Sequence, residues 1–281
     1  MDKQEQAAFL IEAMPYIKKY FNKILVVKYG GNAMVDENLK SSVMRDLVVL
    51  NLLGIKVVLV HGGGPDISQT IKQMGKESKF INGLRYTDEE TAEIVRMVLA
   101  GKTNKNLTDL ICRNGGKAIG ICGQDGHLLK CSKQDENLGF VGKIEQVNTQ
   151  IILDLLGLGY VPVISTVGYD DEGNIYNINA DTAAASIAGA LQAESLILMS
   201  DIRGILENKA DAVSLIKKVY VSDFPALVKQ GIISGGMIPK IECCKEAIRR
   251  GVKKVFITDG RVSHSILIEL LSDEGSGTMF I

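Results

Sequence analysis

Short apolar runs recur along the chain at 24–27, 57–60, 117–121, 161–164, 196–199 and 254–258. Each is nearly continuous rather than alternating, the pattern of parallel strands covered on both faces. Between them apolar residues return every three to four positions, which predicts helices over 38–53, 66–74, 88–101, 104–114, 149–156, 181–191, 224–229, 239–250 and 263–271. Two stretches break the alternation. Residues 126–147 and 169–177 carry turn clusters, Asp125-Gly126 and Asp170 to Asn174, between short strand-like pieces, so hairpins are expected there. Strands alternating with helices predict an α/β fold with a mostly parallel sheet.

Ahead of the first strand, residues 4–21 read as helical, with Leu10, Met14, Ile17 and Phe21 on one face. Pro15 is expected to kink or divide this segment. Its apolar face must bury against the rest of its own domain or against another subunit. At 281 residues the chain suits one large α/β domain or two lobes, with a boundary near residue 180. A net charge of −1 provides no field to attract nucleic acid or an anionic membrane. Aromatics at 5%, without Trp, leave few platforms for stacking bases. Five cysteines without a CxxC pair fit reduced thiols in a cytoplasm. His61, His127 and His264 are too dispersed for a zinc pattern, so no protein metal site is expected. The amino terminus does not read as a signal peptide, and no apolar run is long enough to cross a membrane.

Candidate chemistry concentrates where strands meet glycines. Lys28-Tyr29-Gly30-Gly31 follows the first apolar run. A lysine at the end of a core strand either anchors an anion beside glycine N–H groups or snorkels out to solvent. His61-Gly62-Gly63-Gly64-Pro65-Asp66 repeats the arrangement before a helix. Three consecutive glycines are costly to order, and Gly63 and Gly64 are expected to donate N–H groups to a negative ligand. In Asn177-Ile178-Asn179-Ala180-Asp181, Asp181 reads as a helix N-cap, while two amides on one side, Asn177 and Asn179, suit a carboxylate and an amide. Gly235-Gly236-Met237-Ile238-Pro239-Lys240 puts Lys240 at a helix amino terminus, where its charge opposes the dipole. It either faces an anion or is solvated. Ser200-Asp201-Ile202-Arg203-Gly204 is either a nucleotide-holding loop or an ordinary one. Ala100-Gly101-Lys102-Thr103 imitates the end of a phosphate-binding loop, but Arg96 stands where that pattern needs glycine and a helix precedes it. Gly101 is read as a helix terminator.

Taken together, Lys28 to Met34, His61 to Pro65, Gly83-Leu84-Arg85, Asn177 to Asp181, Ser200 to Leu206 and Gly235 to Lys240 resemble the amino acid kinase family, and the resemblance runs from about residue 7 to residue 281. It implies a three-layer αβα sandwich on an open, mostly parallel sheet. Residues 1–22 become a helical extension used in oligomerisation. Residues 23–281 become the kinase domain, 23–180 binding the acyl-amino acid and 181–281 binding ATP. The implied reaction moves the γ-phosphoryl of ATP, carried with Mg²⁺, to the side-chain carboxylate of N-acetyl-L-glutamate. The alternatives are a sister kinase for aminoadipate, aspartate, glutamate or carbamate, and a non-catalytic arginine or nucleotide sensor. Lys28, Lys240 and Asp181 take the catalytic roles. Gly63, Gly64, Arg85, Asn177 and Asn179 bind the acceptor. Gly30, Gly31, Ser200, Asp201, Gly204 and Met237 hold the phosphates and nucleotide. The amino-terminal segment and the stretch from Glu269 to Thr278 resemble those of the arginine-inhibited members, which implies a hexamer built as a trimer of dimers and effector contacts from Tyr16, Glu269 and Gly275. Phe256 stands where such members often carry histidine.

Overall fold

The computed structural model describes residues 2–34, 36–208, 211, 213–273 and 275–281. Glu274, inside the carboxyl-terminal stretch from Glu269 to Thr278, lies outside the described residues. In chain order the elements are α1 (Lys3–Tyr20), β1 (Ile24–Tyr29), α2 (Glu37–Leu52), β2 (Lys56–His61), α3 (Gly64–Gln73), β3 (Phe80–Ile81), β4 (Leu84–Arg85), α4 (Glu89–Arg96), α5 (Asn104–Arg113), β5 (Ala118–Cys122), β6 (Leu129–Lys133), β7 (Gly142–Val147), α6 (Gln150–Gly157), β8 (Val161–Ser165), β9 (Val167–Tyr169), β10 (Ile175–Asn177), α7 (Ala180–Ala190), β11 (Ser195–Ser200), β12 (Lys218–Val219), α8 (Phe224–Lys229), α9 (Met237–Arg249), β13 (Lys254–Asp259), α10 (Ser265–Leu271) and β14 (Thr278–Phe280).

Eight strands make the main sheet in the order β12-β14-β13-β11-β1-β2-β8-β5. All neighbouring pairs are parallel except β13 with β14. The continuous apolar runs arise from this burial. β1, β2, β8, β11 and β13 are covered on both faces, so neither face favours polar residues. One apolar layer joins the sheet to α6, α7 and α9, and a second joins it to α2, α5 and α10. The chain adds β2 and β8 on one side of β1 and later returns to add β11 on the other. Open α/β sheets bind ligands at the carboxyl ends of strands beside such a reversal. The expected hairpins appear as a separate four-stranded sheet, β10-β9-β6-β7.

Two local expectations need correction. Pro15 does not divide the first segment, since α1 runs unbroken from Lys3 to Tyr20. Nor does Gly101 end a helix. The chain passes from α4 through a π-helical stretch, Met97–Thr103, straight into α5. Burial of Val98, Leu99 and Thr103 holds that stretch in place, and a glycine tolerated by the backbone does not outweigh it.

Candidate active site

β1, β2 and β11 end side by side. Lys28 is buried at the end of β1, only 8% exposed, and its ammonium folds back over Gly30. A Cβ at position 30 would lie 3.2 Å from Lys28 Nζ, tighter than most real contacts, so a side chain there would press on the lysine. The lysine neither escapes to solvent nor stays unpaired. Its Nζ lies 2.9 Å from Asp181 Oδ1. Lys240 approaches the same carboxylate from α9, with Nζ 2.6 Å from Asp181 Oδ2. One carboxylate therefore holds two lysines from distant parts of the chain. Burial alone would push the Asp181 carboxyl up, but the two ammonium groups outweigh it and pull it down to about 2.

Asp181 is not the N-cap of α7. That position belongs to Asn179, whose Oδ1 accepts from Asp181 N–H at 3.0 Å and from Thr182 N–H at 3.2 Å. The capping asparagine frees the aspartate for the lysines while keeping it in the first helical turn, where a negative charge is favoured. The rest of α7 is alanine-rich and buried, and α7 shares its apolar layer with the sheet and α9. The charge misfit of Lys240 near the start of α9 is answered within the chain, by Asp181.

Beside this cluster lies a cavity of about 190 Å³ lined by Lys28, Gly30, Gly31, Gly63, Gly64, Arg85, Asn177 and Asn179, along with Phe80 and other neighbours. All five predicted acceptor residues therefore meet in one place. Gly63 is wedged against the π-helical stretch: a Cβ there would come within 2.6 Å of Leu99 Cδ2. Arg85 is buried, with one guanidinium nitrogen donating to Gly64 O at 3.1 Å and Ser68 Oγ at 2.8 Å and another to Ser78 Oγ. Its guanidinium also sits 4.8 Å from the centroid of the Phe80 ring. Burial lowers its pKa, and among the described residues no carboxylate pairs with it. Asn177 Nδ2 donates to Thr87 Oγ1 at 3.2 Å. Ser68, Ser78 and Thr87 escape the sequence reading because each acts through another side chain, and Phe80, which lines the cavity itself, carries no spacing signal.

Ser200, Asp201, Gly204 and Met237 lie outside this cavity. Ser200 ends β11, Asp201 and Gly204 follow it, and Met237 opens α9. Ser200 Oγ donates to Asp201 Oδ1 at 3.3 Å. Tyr16, Glu269 and Gly275 gather around a second cavity of about 260 Å³, with Phe256, Asp273 and four lysines, Lys19, Lys217, Lys218 and Lys254. The Tyr16 hydroxyl donates to Asp273, and Glu269 Oε2 accepts from the N–H groups of Ser276 and Gly277, both at 2.8 Å. Burial and the neighbouring Lys19 lower the Lys254 pKa. Among the described residues, no group of three or more His, Cys, Asp and Glu could hold a metal ion, and no helix is long and apolar enough to cross a membrane.

Glycine turns and two lysines that share an aspartate meet at the carboxyl ends of a mostly parallel sheet, an arrangement whose positive charge and N–H groups suit an anion. The chain belongs to the amino acid kinase family, whose pattern matches residues 23–259. A Brachyspira hyodysenteriae protein named acetylglutamate kinase is 53% identical over 279 residues, covering 99% of this chain and 97% of that protein. A Clostridium beijerinckii protein of the same name is 53% identical over 278 residues, 98% of each chain. Among solved structures, N-acetylglutamate synthase from Neisseria gonorrhoeae gives a TM-score of 0.85 at 23% identity, covering 98% of this chain and 63% of that one. Giardia carbamate kinase gives 0.67 at 16% identity, covering 92% and 99%. These two likenesses show the fold alone.

Proposed function

We propose that this protein transfers the γ-phosphoryl group of ATP to the side-chain carboxylate of N-acetyl-L-glutamate, giving N-acetyl-L-glutamyl 5-phosphate in arginine biosynthesis. The reading rests chiefly on Lys28 and Lys240 sharing Asp181 beside the Arg85 cavity. The name carried by near-full-length relatives supports the choice of acceptor.

The acceptor carboxylate is already ionised near pH 7, so the reaction needs no general base. The difficulty is bringing two anions together, and phosphoryl transfer is largely positioning and charge stabilisation. At ~4 Å and an effective dielectric of ~20, one ammonium supplies about 4 kcal/mol of attraction. Lys28 and Lys240 flank the moving group. Asp181 stays ionised, orients both and takes no proton. Gly30, Gly31, Gly63 and Gly64 add N–H donors. Arg85 clamps the α-carboxylate with its planar fork, and Asn177 and Asn179 read the acetamido group. ATP lies over residues 181–281, against Ser200, Asp201, Gly204 and Met237. Mg²⁺ is carried in with ATP, held mostly by its phosphates and water.

Arginine is the proposed inhibitor, bound in the second cavity with its guanidinium toward Glu269. The exposed Leu10, Ile11, Met14 and Phe21 of α1 and the turn after it supply the contacts that link dimers into a hexamer. The five cysteines form no disulfide, in keeping with a cytoplasmic setting. ADP release from ATP and N-acetyl-L-glutamate, measured with and without arginine, tests the whole reading. Brisk turnover on free aspartate or carbamate and none on N-acetyl-L-glutamate would overturn it.

A further inference from the structure

His61 ends β2 and is completely buried. Its ring touches two partners. Nε2 lies 3.1 Å from Asn104 Nδ2, and Nδ1 lies 2.9 Å from Gly62 O. The same Asn104 nitrogen lies 2.8 Å from Val163 O and 3.3 Å from Ile121 O. Two carbonyl oxygens require a donor, so that atom is the amide nitrogen. His61 Nε2 must then accept, and the ring proton sits on Nδ1. From there it is donated to the carbonyl of Gly62. Lys105 Nζ holds the other end of the amide, 3.2 Å from Asn104 Oδ1.

The bond to Gly62 fixes the start of the glycine turn. The Gly62 N–H donates to Tyr29 O at 3.0 Å, the last residue of β1. With its carbonyl also held, both polar groups of Gly62 are tied inward. Gly63 and Gly64 come next, and among the described residues their N–H groups have no protein acceptor. Both line the acceptor cavity. We propose that His61, its tautomer set by Asn104, is the positioning residue that aims the Gly63 and Gly64 N–H groups at the reacting anions. The proposal rests on the phosphotransfer reading of the same site. It adds a residue that touches no substrate. Asn104 reaches it because the π-helical stretch delivers α5 to the ends of β2, β5 and β8.

Two substitutions separate the ring's two bonds. An asparagine amide takes the place of Nδ1, and a glutamine amide that of Nε2. His61→Asn keeps a donor for Gly62 O, and His61→Gln keeps only the contact to Asn104. In steady-state ADP release, H61Q is expected to lose roughly 10²-fold in kcat, the scale of an ~1 Å misplacement, with KM for both substrates much less affected. H61N is expected to recover most of that loss. A merely structural role predicts losses that follow thermal stability in both variants, with no recovery in H61N. Amide signals of ¹⁵N-glycine-labelled protein give a readout that does not depend on the acceptor's identity. Gly62, Gly63 and Gly64 are expected to shift in H61Q and to stay near their wild-type positions in H61N. If the wild type proves inactive on N-acetyl-L-glutamate, the acceptor reading fails and the glycine signals still decide this inference. Unmoved glycine signals in H61Q, or wild-type kcat in that variant, would overturn it.

Discussion

Asp181 and Lys240 close a 2.6 Å hydrogen bond across 59 residues of chain. The same carboxylate receives Lys28 on its other oxygen. Two ammonium groups would repel each other without it, so the aspartate sets both their separation and their aim. Asp181→Asn keeps the shape and removes the charge. It is expected to lower kcat by roughly 10²–10³, as when one preorganised transition-state donor is lost. Steady-state kinetics with N-acetyl-L-glutamate check this, and a variant with unimpaired kcat would remove Asp181 from the mechanism.

Lys28→Ala is expected to cost a similar 10²–10³ in turnover. Buried Lys28 also pairs with the partly buried Asp181, so some stability is lost as well. Comparing kcat with the thermal midpoint separates the two effects, because a folded but inactive protein is the expected result.

Arg85→Lys replaces a planar fork by a point charge. The lysine cannot serve Gly64 O, Ser68 and Ser78 and still grip a carboxylate in bidentate fashion. KM for the acyl-amino acid is expected to rise about 10- to 100-fold, matching the ~1.5–3 kcal/mol of a charged hydrogen bond, while KM for ATP stays near its original value. An unchanged acceptor KM would exclude the clamp.

Burial holds the His61 imidazole down to about 4 from its ordinary 6.5. The unfolded chain takes up that proton first as pH falls. Stability linked to His61 is therefore whole above about 6.5 and is lost progressively between about 6.5 and 4. Urea unfolding across this range should show a slope in the wild type that is reduced in H61N. Equal slopes would mean that the buried ring does not control the acid limb.

Removing residues 1–20 deletes α1 apart from its link to β1, along with Tyr16 of the second cavity. If the proposed hexamer and arginine site are right, light scattering is expected to show a smaller assembly than for the full chain, and inhibition by arginine is expected to be weaker. Glu269→Gln should weaken inhibition without altering turnover in the absence of arginine, because an amide oxygen still accepts from Ser276 and Gly277. Inhibition unchanged in both variants would place the effector elsewhere.

Much of this was readable in one dimension. The runs at β1, β2, β5, β8, β11 and β13 are apolar on both faces, so they stood out without an alternating pattern. Lys28, Gly63, Gly64 and Lys240 were conspicuous because each breaks a local preference: a charge at a core strand end, glycines in series, a cation at a helix start. The misreadings share a cause. Asp181 looked like a cap and Gly101 like a terminator because local propensity was weighed without tertiary contacts. Asn179, and Val98, Leu99 and Thr103 buried within the π-helical stretch, decided otherwise.

By itself the sequence singled out candidate residues such as Lys28, Asp181 and Lys240 and the segments that become the core strands, since side-chain polarity and period are local properties. Only the tertiary structure decided who meets whom. It brought Lys240 onto Asp181, gathered Ser68 and Ser78 around Arg85, and set Asn104 against His61. Those pairings depend on strand order and on the directions in which helices leave the sheet, and these follow from burying all the apolar faces at once.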